Sequence, residues 1–333
     1  MQIIKPAYHD RFRCLASDCP DSCCKEWDVQ IDPETANFYQ KLEGTLGQRL
    51  RQVMTEDPDA GTIFINENGR CPMWRSDSLC RIQAELGHEA LCKTCRDFPR
   101  LTHDYGDFME LGLELSCPEA ARLILTDSDA AFVIEDRPGG EAPEYDEDTM
   151  DLLQQSRAVA LSFFSDGTYS APKALALLLF YGYHIQTILE GGVPPPFDPE
   201  NILCRTQTLA KPQNAATLLQ FFSTLEILSP TWLSRLNNPE NPDGWPNAIK
   251  NLAKYGIQRY WLQTVSDEDL ICRVKMIIAF CLTVKILGGD TILTAQAMSK
   301  EIENNADNID VILDAAYLDH AFSDLYLLGL LFF

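Results

Sequence analysis

The placement of the cysteines constrains this chain more than any other feature. Nine of its 12 cysteines fall within the first 117 residues, and the other three are Cys204, Cys272 and Cys281. Those three lie in apolar, helical sequence, where a free cysteine packs as a small hydrophobic side chain. We therefore expect the N-terminal part to fold so that its thiols converge, and the distal cysteines to be core residues.

The spacing of the N-terminal cysteines is typical of metal ligands. The pattern reads C-x4-C-x3-C-C over 14–24, C-x8-C over 71–80 and C-x2-C over 92–95, followed by Cys117. A C-x2-C pair brings two sulfurs to one ion or cluster from a single turn. Nine thiols exceed the four that one zinc ion or one [4Fe–4S] cluster needs. The sequence thus predicts either two centres, or one centre with additional structural thiols.

Disulfide bonds are the competing interpretation of these cysteines. The first residues, MQIIKPAYHDRFRC, lack the apolar core of a secretory signal, and no apolar run is long enough to span a membrane. We therefore expect a cytoplasmic protein, whose thiols stay reduced. An odd number of clustered cysteines also argues against complete pairing. Metal binding is favoured, with an iron–sulfur centre, zinc or both still open.

The rest of the sequence predicts a mainly α fold with three segments. A cysteine-rich metal-binding module with short strands occupies 1–125, an acidic connector with several Pro and Gly residues occupies 126–151, and an all-α helical domain occupies 152–333. Long helical stretches such as APKALALLLFYGYHIQTILE support the last assignment.

Local signals place a few elements inside the cysteine-rich module. Asp32 and Pro33 predict the start of a helix whose apolar face recurs every fourth residue from Phe38 to Met54. Residues 62–66 and 107–115 are strand-like. Ser116 and Glu119 form a capping box that predicts another helix.

The net charge of -22 excludes some partners. A field of that sign repels nucleic acid and anionic membrane surfaces, so we expect neither as a partner. It attracts a basic, lysine-bearing protein, although solubility alone also explains it. The sequence has no dinucleotide-binding glycine loop, no Walker loop, no H-E-x-x-H and no C-x3-C-x2-C triplet. No catalytic or cofactor-binding residue is therefore predicted from motifs.

An ordered set of motifs resembles a known family. The stretch from Tyr8 to Asp32 contains RFRC-x4-C-x3-CC-x2-W-x3-ID, and CPMW, LCRIQAELGHEALCKTCRDFPR and SCPEAAR follow in order up to about residue 122. Together they resemble the flagellin lysine N-methylase family. A shorter subset resembles the wider family of zinc- or iron-chelating cysteine-cluster proteins.

This resemblance implies a protein-lysine N-methyltransferase that moves a methyl group from S-adenosyl-L-methionine to lysine side chains of flagellin. It also implies a [4Fe-4S] cluster, with zinc as a second or alternative metal. The implied metal ligands are the cysteines within the motifs: Cys14, Cys19, Cys23, Cys24, Cys71, Cys80, Cys92, Cys95 and Cys117.

Further motif positions have two interpretations. They either support the loops around the cluster or contact the methyl donor or substrate: Trp27, Arg96, Asp97, Pro99, Arg100, Glu119 and Arg122. Two non-enzymatic hypotheses also remain. One is a metal-chelating or redox module fused to a helical protein-interaction domain, and the other is an electron-transfer protein.

Overall fold

The computed structural model describes residues 1–25, 27–77, 79–126, 132–165 and 167–333. The chain forms two compact units. The helical unit comprises Met1–Arg11, Thr102–Ser116 and Ala120–Phe333, and the cysteine unit comprises Phe12–Leu101 and Cys117–Glu119. The predicted 1–125 segment is thus divided between the two units, because strands near both of its ends pair within the helical unit.

The model confirms that helices dominate the described residues and that the strands are short. The strands are β1 (Gln2–Pro6), β2 (Val29–Gln30), β3 (Met54–Asp57), β4 (Gly61–Phe64), β5 (Arg100–Asp104), β6 (Phe108–Leu113) and β7 (Phe132–Asp136). The helices are α1 (Pro33–Lys41), α2 (Gly44–Val53), α3 (Arg81–Leu86), α4 (Lys93–Asp97), α5 (Pro118–Thr126), α6 (Glu147–Ser162), α7 (Ala171–Leu189), α8 (Pro199–Leu209), α9 (Ala216–Ser223), α10 (Pro230–Asn237), α11 (Ala248–Tyr260), α12 (Leu270–Leu287), α13 (Thr291–Met298), α14 (Ala306–Leu318) and α15 (Asp324–Phe332).

A four-stranded sheet with the order β5-β6-β1-β7 begins the fold. Strand β1 runs parallel to β6, with Ile3 opposite Met109, and antiparallel to β7, with Ile4 opposite Ile134. Part of the segment expected to be a connector is therefore strand β7, and α6 begins at Glu147. The alternating sequence FVIED supplies backbone groups that complete this sheet edge. Residues 127–131 of the expected connector lie outside the described residues.

Helix α12 is the centre of the helical unit. It is buried along almost its whole length and packs against α7, α11 and α14. Gly256 on α11 permits close approach, because an added Cβ would lie 2.8 Å from Ile277. Cys272 and Cys281 are buried in α12 as predicted, whereas Cys204 is exposed on α8. The core prediction for Cys204 is wrong, because α8 turns this residue towards solvent.

The cysteine unit contains a three-stranded sheet with the order β2-β4-β3, together with α1 to α4. Asp32 caps α1 as predicted, since its Oδ1 accepts a hydrogen bond from Thr35 N at 2.9 Å. The predicted single helix is instead two, because the backbone becomes extended at Leu42 (ψ 128°) and the second helix begins at Gly44, whose φ is +83°. Phe38 consequently points to solvent, while Leu46 and Leu50 are buried.

Two of the other local predictions are confirmed within a few residues. The expected strand over 62–66 is β4, and the one over 107–115 is β6, which belongs to the helical unit. Helix α5 begins at Pro118, so the predicted helix is present and starts two residues after Ser116, one residue later than the capping box implies. Among the described residues, no helix is long and apolar enough to cross a membrane.

Candidate metal centre

Four short chain segments carry the central thiols of the cysteine unit. Cys80 and Cys92 occupy the N-cap positions of α3 and α4, and Cys95 lies within α4. Cys71 and Cys92 are buried in the core of this unit, and the side chains packed against the same core include Cys24, Cys80 and Cys95. The fold therefore gathers thiols that are up to 71 positions apart in the sequence.

Backbone hydrogen bonds hold these segments together. Cys71 N donates to Cys24 O at 2.7 Å, and Trp27 Nε1 donates to Cys23 O at 2.7 Å. The segment after Cys71 is fastened to the start of α3 by the bond from Arg81 N to Met73 O, at 2.8 Å. The loops that carry the thiols are thus tied to each other through the main chain.

Asp32 anchors the C-x2-C segment as well as α1. Its Oδ2 accepts a hydrogen bond from Lys93 N at 2.7 Å, at the first residue of α4. Burial opposes ionisation of this carboxyl, but the bonds from the backbone of Lys93 and Thr35 outweigh it and lower the pKa of Asp32. One carboxylate therefore fixes the N-termini of two helices, including the turn between Cys92 and Cys95.

The thiols contact one another in two separate groups. Cys23 interacts with Cys24 and Cys24 with Cys71, while Cys95 interacts with Cys92. The pKa of Cys23 is raised by its contact with Cys24 and by burial. Cys24 is stabilised as a thiolate by Cys23, but its contact with Cys71 and burial raise its pKa to about 12.

Two of these thiols are the readiest to ionise. Contact with the Cys24 thiol lowers the pKa of Cys71, and contact with Cys95 lowers that of Cys92. The pKa of Cys95 is raised by Cys92 and by burial. Since the thiolate is the form that binds metal, these lowered pKa values favour Cys71 and Cys92 as candidate metal ligands.

The remaining predicted ligands lie at different depths. Cys80 is within electrostatic range of Cys23 and Cys92, and burial raises its pKa. Cys19 is near Cys14 and Cys23, and burial raises its pKa as well. Cys14 is exposed, and its Sγ accepts a hydrogen bond from Ala16 N at 3.4 Å. Cys117 is buried and belongs to the same compact unit.

Most of the other motif residues lie in the cysteine unit, and Arg122 lies in the helical unit. Asp97 forms an ion pair with Lys93, and the Arg100 guanidinium lies 5.2 Å from the centroid of the Phe12 ring. The peptide bond before Pro99 is cis, and Arg96 lies in the last turn of α4. Glu119 and Arg122 lie on α5, in its first turn and its middle respectively.

Sequence reasoning missed Tyr39 as part of this site. Its side chain is fully buried, its hydroxyl donates to Ala90 O at 2.6 Å, and it lies near Cys80, Cys92 and Cys95. Burial, followed by the nearby thiols, raises its pKa. Nothing in the local sequence distinguishes this tyrosine from the other apolar residues of α1.

The donor set suits a soft metal in composition but is not arranged as a ligand set. Thiolates are the donors preferred by zinc and by iron–sulfur clusters, and here they converge in one core. Within the described residues, however, no group of three or more His, Cys, Asp or Glu side chains is positioned to hold a metal ion. The residues fit a thiolate-bound centre by donor type.

These features define a class of protein that joins a cysteine-cluster unit to a larger helical unit. No family model and no solved structure matches the chain. It is 35% identical to the Lysine-N-methylase of Salmonella typhimurium over 139 residues, which is 40% of this chain and 35% of that protein. It is 34% identical over 134 residues to the flagellar biosynthetic protein FliU of Salmonella muenchen, covering 38% of this chain and 79% of FliU.

A second Lysine-N-methylase, from Salmonella choleraesuis, is 34% identical over 139 residues. The matched part of the chain thus spans about a third of the length of both lysine-N-methylases, and most of FliU. On this evidence the chain belongs to the flagellin lysine N-methylase family.

Proposed function

We propose that this protein is a protein-lysine N-methyltransferase that uses S-adenosyl-L-methionine to methylate lysine side chains of flagellin. Its relatives are named Lysine-N-methylase and flagellar biosynthetic protein, which supports both the reaction and the substrate. The convergence of five thiols from four segments on one core is the structural observation that carries the proposal. An acidic chain of net charge -22 also suits a substrate that presents lysine.

We further propose that the clustered cysteine thiols of the cysteine unit hold a [4Fe–4S] cluster, with zinc as a second or alternative metal. The inner set comprises Cys24, Cys71, Cys80, Cys92 and Cys95. The outer predicted ligands are Cys14, Cys19, Cys117 and Cys23, which is an exposed residue whose thiol contacts Cys24. A [4Fe–4S] cluster bound there supplies a redox-active iron centre. The chain contributes the buried thiols, the hydrogen bonds that lower the pKa of two of them, and the carboxylate of Asp32 that positions the C-x2-C turn.

The test begins with anaerobic purification and quantification of iron, sulfide and zinc. The cluster-loaded protein is then incubated with flagellin and S-adenosyl-L-methionine, and lysine methylation is followed by mass spectrometry. Cys92→Ser should reduce iron and sulfide content and methylation together, because it removes a buried thiol with a lowered pKa. Cys204→Ser is the matched control, since Cys204 is exposed on α8 and belongs to the other unit.

Each outcome distinguishes the alternatives. Iron and sulfide with methylated flagellin support the proposal. Iron and sulfide without methylation favour a redox or electron-transfer protein. Zinc alone, again without methylation, favours the metal-chelating module fused to an interaction domain. Equal metal content in Cys92→Ser and Cys204→Ser would refute the assignment of the clustered cysteine thiols as metal ligands.

A further inference from the structure

The outer side of α14 in the helical unit combines exposed apolar side chains with aspartates. The exposed residues that follow one another at helical spacing along this side are Asp307, Asp310, Val311, Asp314, Tyr317 and Leu318. The opposite side of the helix, which includes Ile312, Ala315 and Ala316, is buried in the same unit. We call the six exposed residues the α14 face.

The apolar side chains of the α14 face contribute little to the core. Val311 is 48% exposed, Tyr317 58% and Leu318 86%. Leu325, in the first turn of α15, is 58% exposed. Isolated exposed apolar side chains are ordinary on protein surfaces, but these follow one side of a helix and the start of the next helix. Such a stripe is typical of a surface that another protein covers.

The end of α14 and the start of α15 are held side by side by Lys275 of α12. Its Nζ donates to Ala316 O at 3.1 Å and lies 3.0 Å from Oδ1 of Asp324. The same carboxylate oxygen accepts a hydrogen bond from the Tyr183 hydroxyl at 3.0 Å. The α14 face therefore continues on to the first turn of α15.

Tyr317 is held in place although much of its side chain faces solvent. Its hydroxyl donates to Oδ1 of Asp269 at 2.6 Å. Asp269 is itself fixed, because it caps α12 by accepting a hydrogen bond from Cys272 N at 3.4 Å. A side chain that is already ordered in the free protein loses little conformational entropy when a partner covers it. Tyrosine is also enriched among the residues that contribute most to binding at protein interfaces.

The charged side chains around this surface are acidic. The chain from 305 to 333 has no lysine or arginine, and its five aspartates are Asp307, Asp310, Asp314, Asp319 and Asp324. Asp324 is paired with Lys275, and Asp319 Oδ1 accepts a hydrogen bond from Ala321 N at 2.8 Å. The other three form no ion pair within the described residues. The α14 face thus places three negative charges among exposed apolar side chains.

This combination of charge and apolar surface determines which partner fits. Two copies of the α14 face would bring like charges together, which disfavours self-association through it. Nucleic acid and anionic membranes are repelled for the same reason. A protein segment that presents lysines beside apolar side chains is complementary in both respects. The aliphatic part of a lysine packs on apolar side chains while its ammonium group reaches a neighbouring carboxylate.

We propose that the α14 face docks a lysine-bearing amphipathic segment of the substrate protein. This inference rests on the proposed function, which takes that protein to be flagellin. Apolar side chains of the segment cover Val311, Tyr317 and Leu318, and its lysines pair with Asp310 and Asp314. Docking of this kind raises the affinity for the whole substrate protein and leaves the chemical step unchanged.

The first experiment measures the dissociation constant of the full chain for purified flagellin by isothermal titration calorimetry. Val311→Ser with Leu318→Ser should weaken binding by about 10-fold or more, because two apolar side chains no longer leave water on binding. Val193→Ser with Leu209→Ser is the matched control, since both residues are exposed elsewhere in the helical unit. Thermal melts of both variants should match the wild type, because surface substitutions change stability little.

The second experiment tests the charges. Asp310→Asn with Asp314→Asn keeps the size of both side chains and removes their charge. Binding to flagellin should weaken by roughly 3-fold or more at low ionic strength, and the remaining affinity should depend less on salt than that of the wild type. Glu141→Gln with Glu144→Gln is the control, since it removes two exposed charges from a loop of the same unit.

A kinetic measurement separates docking from chemistry. Val311→Ser with Leu318→Ser should raise KM for flagellin and leave kcat unchanged, as expected when binding is lost equally from the ground state and the transition state. Methylation of a lysine tripeptide, which is too short to make the docking contacts, should be the same in variant and wild type. If flagellin binds through the α14 face but is not methylated, the proposed function fails while the docking surface stands.

The opposite results overturn the inference. Methylation of flagellin with equal dissociation constants in the wild type and both α14-face variants would leave the proposed function intact and refute the docking surface. A wild-type dimer that Leu318→Ser dissociates in analytical ultracentrifugation would assign the α14 face to a second copy of this chain instead. A wild type that neither binds nor methylates flagellin would refute both proposals.

Discussion

Removing one partner of the Glu110–Arg157 ion pair should destabilise the helical unit severely. Arg157 Nη1 and Nη2 donate to the two oxygens of Glu110 at 2.8 and 2.6 Å, and the two side chains are only 8% and 9% exposed. Glu110→Gln removes the charge but keeps the size and one acceptor. The buried guanidinium is then uncompensated, and breaking such a pair costs about 3–5 kcal/mol.

That cost can be converted into an observable shift. For a unit of roughly 150–250 residues, each kcal/mol lowers Tm by roughly 2–4 °C, so Glu110→Gln should lower Tm by roughly 6–20 °C. Hydrogen exchange of the backbone amides on β1 and α6 reports the stability of the helical unit alone. Arg137→Gln is the control, because its ion pair with Glu135 is exposed and 3.6 Å long, and such pairs contribute about 0–1 kcal/mol.

The double variant Glu110→Met with Arg157→Met completes the cycle. Replacing both charges with apolar side chains removes the desolvation cost as well as the attraction, so most of the lost stability should return. If Glu110→Gln is no more destabilised than Arg137→Gln, the pair is not buried as described and the reasoning fails.

Three further predictions follow from single side chains. Glu114→Gln should raise Tm at pH 7, because folding raises the pKa of this carboxyl and so disfavours its charged form. The Tm difference between variant and wild type should vanish below pH 4.5, the ordinary pKa, where Glu114 is protonated in both the folded and the unfolded protein. Asp32→Ala should cost about 1–2 kcal/mol in urea denaturation of the cysteine unit and reduce bound iron, whereas an unchanged metal content would contradict its role in positioning α4. Gly256→Val should cost about 1–3 kcal/mol by overpacking against Ile277, and a thermal melt equal to that of wild type would show that α12 can move aside.

The sequence allowed good prediction wherever the signal was local. The Asp32 cap and the Pro33 start of α1, the strand near 62–66 and the opening of α5 all depend on residues within one turn. The break between α1 and α2 was missed because the apolar spacing continues across it, while the backbone becomes extended at Leu42 and Gly44 adopts a positive φ at the start of the second helix. Hydrophobic periodicity shows which residues form an apolar face, but not where one helix ends and the next begins.

Long-range pairing was beyond sequence reasoning. Strand β1 contains Pro6 and Lys5, and nothing in QIIKP indicates a partner 106 positions away at β6. The clustered cysteines could be predicted together, because they share one residue type and a recognisable spacing. Tyr39 was not predictable, because an aromatic residue becomes distinctive only through its burial and its neighbours.

The parallel pairing of β1 with β6 has a topological consequence. Parallel neighbours need a crossover between them, and here the crossover contains nearly the whole cysteine unit, Phe12–Leu101. The bonds that pair β1 with β6 join backbone groups, so they do not depend on the side chains of this insert. A recombination event that replaced this insert would leave those hydrogen bonds in place, so the cysteine unit and the helical unit are free to evolve at different rates.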